Sequence, residues 1–138
     1  MSADEPQSGL EVGELVDVVG PADWLKFRLK TSALNQHDLF SLRGMGLSAD
    51  KLPMVLGCDG AGVDEDGHEV MVHSVIPTDG WRGDETLDPK RSLLSELHPG
   101  TFADYVWVPA ANVLPKPAEL SWEQAGCLST AWLTAFKM

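Results

Sequence analysis

The side chains best suited to chemistry lie in two short stretches. One is Leu52-Pro53-Met54-Val55-Leu56-Gly57-Cys58-Asp59-Gly60-Ala61-Gly62-Val63, where a thiol and a carboxylate sit side by side in a Gly-x-x-Gly-x-Gly knot between apolar flanks. Glycines at this spacing let a backbone turn sharply and approach another backbone closely. Cys58 and Asp59 are therefore expected to point into whatever cleft the turn faces. The other stretch, Ala33-Leu34-Asn35-Gln36-His37-Asp38-Leu39, carries four consecutive side chains able to hydrogen-bond. The two are expected to meet as one wall of a site. Each residue also has a plainer role. Cys58 is either a nucleophile or a small buried hydrophobe. Asp59 either hydrogen-bonds its own turn or faces the cleft, and Asp38 caps a helix or pairs locally.

The elements that must position these residues are legible as patterns. Trp24–Thr31 is the cleanest strand, with Leu25, Phe27 and Leu29 on one face and Lys26, Arg28 and Lys30 on the other. Asn35 is placed to cap a short helix through Gly44. Gly60–Val63 enters a hairpin that turns at Asp64-Glu65-Asp66-Gly67 and returns as Glu69–Ile76. Thr101–Pro109 alternates again, Val113–Pro117 is extended, and Ser121 caps a closing apolar helix. Leu10–Val19 alternates loosely and predicts an edge strand after a disordered leader, residues 1–9. Pro77–Gly100 reads as a long irregular loop, of the kind that is usually functional. Of the four histidines, His68 is expected at an exposed turn, His73 as a satisfied core residue and His98 in a loop. Trp24, Trp107, Trp122 and Trp132 read as core and interface packing.

Length limits the chain to one domain with a real core, since 138 residues are too few for two of ordinary size. A net charge of −11 argues against nucleic acid and anionic membranes, which need basic patches. Cys58 and Cys127 have neither CxxC spacing nor a disulfide framework, although a single bridge between them is compatible with the sequence. The acidic start lacks a signal-peptide pattern and no run is long enough to span a membrane. A cytoplasmic, reduced protein is the expectation. The chain stops at Phe136-Lys137-Met138 inside an apolar helical pattern. Such an end is expected of a fragment, or of a helix that docks on something else.

Taken together, four motifs resemble the N-terminal half of the medium-chain dehydrogenase/reductase superfamily, the zinc-type alcohol dehydrogenases and their zinc-free quinone oxidoreductase relatives. They are Ala33–Leu39, Leu56–Val63, Gly100-Thr101-Phe102-Ala103-Asp104-Tyr105-Val106 and Leu128-Ser129-Thr130-Ala131-Trp132-Leu133-Thr134-Ala135-Phe136. The resemblance implies a mainly β fold with short helices, a GroES-like partly open β-barrel over residues 10–120. Residues 121–138 then begin the connection toward a Rossmann cofactor-binding domain. That half is absent: no Gly-x-Gly-x-x-Gly follows a strand. The resemblance also implies NAD(P)H as cofactor, although this chain alone is not expected to bind it. Thr130 matches a position that touches the nicotinamide, and is otherwise an ordinary helix threonine.

The departures from the family pattern point to the zinc-free subgroup. Asn35 stands where the zinc enzymes have Cys, and Gly57-Cys58-Asp59 where they have Gly-His-Glu. An amide is a poor zinc ligand, no four-cysteine lobe lies in 77–100, and no zinc is expected. Without a metal, donors must polarise the substrate oxygen. Asn35 and His37 are the candidates, with Asp59 beside them. His37 matches a proton-relaying position; alternatively Asn35 only caps its helix and His37 is solvated. The expected function is the catalytic-domain portion of an oxidoreductase acting on a quinone, enone or other carbonyl or alcohol substrate, inactive without its Rossmann partner. The alternative is a stand-alone binding or assembly module that forms a homodimer through its C-terminal apolar helix. A metal-binding variant using Cys58, Asp59 and His37 ranks behind both.

Overall fold

The fold is described from a computed structural model, which covers residues 4–16 and 19–138. In chain order its elements are β1 (Trp24–Ala33), α1 (Gln36–Leu42), β2 (Asp59–Asp64), β3 (Glu69–Val72), β4 (Val75–Ile76), β5 (Ser92–Leu93), β6 (Tyr105–Pro109), β7 (Val113–Pro115), α2 (Trp122–Ala125) and α3 (Leu133–Lys137). The five-stranded antiparallel sheet has the order β6-β1-β2-β3-β7, and β4 and β5 form a separate two-stranded sheet. Among the described residues β6 and β7 do not pair, so the sheet is open, as a mainly β, partly open barrel requires.

β1 is an interior strand, paired on both of its edges. Phe27 stands opposite Val106 of β6 and Asp64 of β2, and Ala33 stands opposite Asp59. The last pairing brings the end of β1 beside the glycine knot. The register slips between Leu29 and Thr31, a bulge that bends the strand before it reaches Asn35. Phe27, Cys58, Val70, Val72, Ile76, Leu94, Val106 and Val108 form the main core. The expected alternation holds for Phe27 but not for Leu25, which is 44% exposed. Lys26, on the opposite face, is half-buried because its ammonium lies 4.6 Å from the Tyr105 ring and 5.8 Å from the Trp107 ring.

Two segments depart from expectation. Pro6–Gly9 forms a 3-10 turn where a disordered leader was expected, with residues 1–3 outside the described set. No strand forms over 10–16. Leu10, Val12, Leu15 and Val16 stay exposed because nothing pairs with the segment and its alternation has no face to bury; Asp17 and Val18 lie outside the described residues. The closing helix is also not continuous. α2 starts on the Ser121 cap, whose hydroxyl accepts from Gln124 N. Leu128–Trp132 then widens into a π turn, with Trp132 N donating to Cys127 O, before α3 resumes.

The knot is fastened at three places. Gly57 has φ +96, and Gly100 packs so tightly that a Cβ there would run into the Gly57 and Leu56 carbonyls. Gly100 N, Phe102 N and Thr101 N donate to the carbonyls of Val55, Leu56 and Gly57 at 2.8, 2.8 and 3.0 Å. Asp38, 2% exposed, accepts from Asn35 N at 2.8 Å with one oxygen and from Gly57 N at 3.0 Å with the other. It thereby caps α1 and ties it to the knot.

Two outcomes are expected. Asp38→Ala strips both amides of a charged acceptor and should cost about 3 kcal/mol in urea unfolding, against about 0.5 kcal/mol or less for exposed Asp66→Ala. Burial first, and then the Asp38 charge, pushes the Cys58 thiol up to about 12. In native alkylation followed by mass spectrometry, half-buried Cys127 should react and Cys58 should react only on unfolding.

Candidate active site

Asn35 and Asp59 meet across the junction between α1 and β2. The Asn35 side-chain amide donates to Asp59 Oδ2 at 3.1 Å and to the Ala33 carbonyl at 3.3 Å. Both of its hydrogens are thus committed, one of them to the carboxylate. Asp59 Oδ2 also accepts from Ala131 N at 3.3 Å, a bond the wide turn at Leu128–Trp132 makes possible. The Thr130 hydroxyl stands 3.0 Å from Ser74 Oγ and favours ionisation of both Cys58 and Asp59. Three expected site residues, Asn35, Asp59 and Thr130, therefore lie together, drawn from three separate stretches of chain.

Asp59 is 0% exposed, and its Oδ1 has no hydrogen-bond partner. Burial raises its pKa; the Asn35 amide, the Thr130 hydroxyl and the Ala131 and Thr130 backbone pull it back only in part. It faces neither solvent nor an open cleft, but lies under the surface as the common acceptor for the groups above it. Its backbone is held just as firmly: the Ser32 and Thr101 hydroxyls donate to the Asp59 carbonyl at 2.6 and 2.7 Å.

His37 does not join this group. Its Nε2 is buried, lacks a hydrogen-bond partner, and has the Glu96 carboxylate 3.9 Å away. It belongs with the 77–100 loop rather than with the carboxylate. Cys58 lies in the core instead of facing a cleft. His73, half-buried, stands 2.8 Å from Glu85 Oε1, while His68 is exposed beside Asp64. Among the described residues no group of three His, Cys, Asp or Glu side chains is gathered to hold a metal ion. Ser32, Thr101 and Ser74 were missed by sequence reasoning. The only signal for Thr101 was its place after Gly100 in a quoted motif, and isolated serines near strand ends carry none.

The comparisons concern the family and the fold. The family model for the alcohol dehydrogenase GroES-like domain matches residues 21–118. A zinc-type alcohol dehydrogenase-like protein of Schizosaccharomyces pombe is 32% identical over 117 residues, covering 79% of this chain and 34% of the relative. A crystal structure of an NAD-dependent alcohol dehydrogenase superposes with a TM-score of 0.84 at 34% identity, over 96% of this chain and 43% of that one. The 2R,3R-butanediol dehydrogenase of Bacillus subtilis shares the fold, with a TM-score of 0.75 at 22% identity over 86% of this chain and 40% of that one. The chain thus spans about a third of the curated relative and less than half of these structures. With its open sheet, its fastened glycine knot and a family match over most of its length, the chain belongs to the alcohol dehydrogenase GroES-like domain family.

Proposed function

We propose that this chain is the catalytic half of a zinc-independent, NAD(P)-dependent oxidoreductase acting on a quinone, an enone or another carbonyl or alcohol compound. The observation that carries the reading is the Asn35–Asp59 contact. It sets an amide bonded to a buried carboxylate where a metal would need thiolate or imidazole. The neighbouring Cys58 thiol is packed in the hydrophobic core rather than turned toward Asn35, and among the described residues no third ligand stands with it. These donors do not fit zinc, whatever the zinc-type relative binds.

A bound nicotinamide cofactor would supply the hydride. The residues of this chain do the rest. Asn35 turns its amide to the substrate oxygen by releasing the long bond to Ala33. Asp59 is the positioning residue that keeps the amide oriented and holds the Ala131 N–H. Thr130, braced by Ser74, would be the residue that meets the nicotinamide. The partner in this reading is a Rossmann half like the part of its relatives that this chain does not cover. Free Cys58 and Cys127 suit a reducing compartment such as the cytoplasm, and among the described residues no helix is long and apolar enough to cross a membrane. A second reading, a stand-alone module that dimerises, draws on exposed Trp132 and Phe136, which border an apolar groove of about 350 Å³ with Met71, Leu114 and Leu128. Sedimentation of the chain alone separates the two: a monomer counts against the dimer reading.

The decisive test joins metal analysis to turnover. The chain together with its cofactor-binding half should oxidise NAD(P)H with quinones or enones, carry no stoichiometric zinc and keep its rate after chelation. Loss on chelation with recovery on added zinc would overturn zinc independence. Asp59 gives a pH test. Its folded pKa is raised, so the proton-bound form favours the fold, and that advantage is lost as pH rises through the folded pKa. Asp59→Asn should therefore gain thermal stability over the native chain at about pH 8, with the gain shrinking toward about pH 4. Hydride transfer should fall in the same variant, by about tenfold or more.

A further inference from the structure

A second cavity, of about 590 Å³, lies at the end of β1 remote from Asn35. Trp24 begins this ten-residue strand and Ala33 ends it. At the usual strand rise the two ends are roughly 30 Å apart, so the cavity is not part of the Asn35–Asp59 group. Its volume is that of a small-molecule site.

Its walls carry three aromatic rings, Trp24, Trp81 and His98, and three charged side chains, Asp23, Asp79 and Lys90. Trp24 and His98 meet edge to face with centroids 4.7 Å apart. Trp81 is fixed from the loop side: its indole N–H donates to the Asp84 carbonyl and its backbone N–H to the Thr78 carbonyl, each at 3.0 Å. That turn is in turn anchored by buried Asp88. One of its oxygens accepts from Thr78 N and Oγ1, both at 2.7 Å, and the other accepts from Lys90 N at 2.8 Å. The aromatic wall is therefore held in place before any ligand arrives, which removes much of the ordering cost of binding.

The charges decide what fits. Two carboxylates face one ammonium, and burial together with nearby Lys51 lowers the His98 pKa, which keeps that ring neutral. Aromatic faces attract cations, and a chain of net charge −11 concentrates them further. Among the side chains lining the cavity, an anion would meet one ammonium, Lys90, against two carboxylates.

We propose that this cavity binds a small organic cation of the alkylammonium class, with Trp24 and Trp81 packing the onium group and Asp23 and Asp79 supplying the opposing charge. Neither the family match nor the hydride-transfer reading depends on it.

The test follows the indole N–H resonances of the nitrogen-15-labelled chain during titration with choline and, in parallel, with 3,3-dimethylbutan-1-ol, its uncharged carbon isostere. Choline should shift the Trp24 and Trp81 signals saturably and bind about tenfold more tightly than the alcohol. Asp79→Asn, an exposed and conservative change, should weaken choline binding about fivefold or more with the rest of the spectrum unchanged. Trp81→Ala should do the same, read from Trp24. Equal affinity for the two probes, shifts spread equally over Trp107 and Trp122, or no saturable shift would each overturn the proposal.

Discussion

A single carboxylate governs this architecture. Asp38 is buried, and its two oxygens accept from backbone amides, those of Asn35 and Gly57. One oxygen closes the first turn of α1 and the other holds Gly57 in a backbone conformation few side chains tolerate. Charge-assisted bonds of this kind are each worth about twice a neutral one. Because they join residues 35 and 57, they close a loop whose ends would otherwise be free to separate. Asn35 and Asp59 are neighbours as a result.

The second carboxylate behaves differently. Asp59 shares its neighbourhood with Asp38 and the core thiol, and only one of its oxygens is paired. Burying a charge with a free lone pair is costly, and a fold selected only for stability would place a neutral side chain there. Stabilisation is concentrated in Asp38 and in the Gly57–Gly100 lacing, while the unpaired buried oxygen lies two residues on from Gly57, at Asp59, where an amide must be oriented. That division of labour is what a site built on a rigid support looks like.

Period-two alternation located β1, and the Asp66-Gly67 turn located the β2–β3 hairpin, because both signals are local and the sheet supplied the burial they anticipate. The junction of Asn35 with Asp59 was also legible, since glycine spacing and clustered polar residues restrict what the backbone can do. The same alternation misled over residues 10–16, where among the described residues no strand pairs with the segment. His37 was legible as a chemical group but not as a partner: Glu96, which lies nearest, comes from a loop without periodicity. The wide turn at Leu128–Trp132 was invisible because nothing local marks it and the acceptor of the Ala131 N–H lies 72 residues away, and the remote cavity was invisible because its rings come from segments far apart in sequence.

That wide turn has a mechanical consequence. In an unbroken helix the Ala131 amide would be spent on its own carbonyl ladder; here it is lent to Asp59. Since this amide is one of the groups holding down the raised carboxyl, displacement of the segment after Cys127 withdraws it and drives the carboxyl further toward its protonated form. The seat of residues 128–132 and the ionisation of a carboxyl buried inside the sheet are thus coupled through one backbone amide.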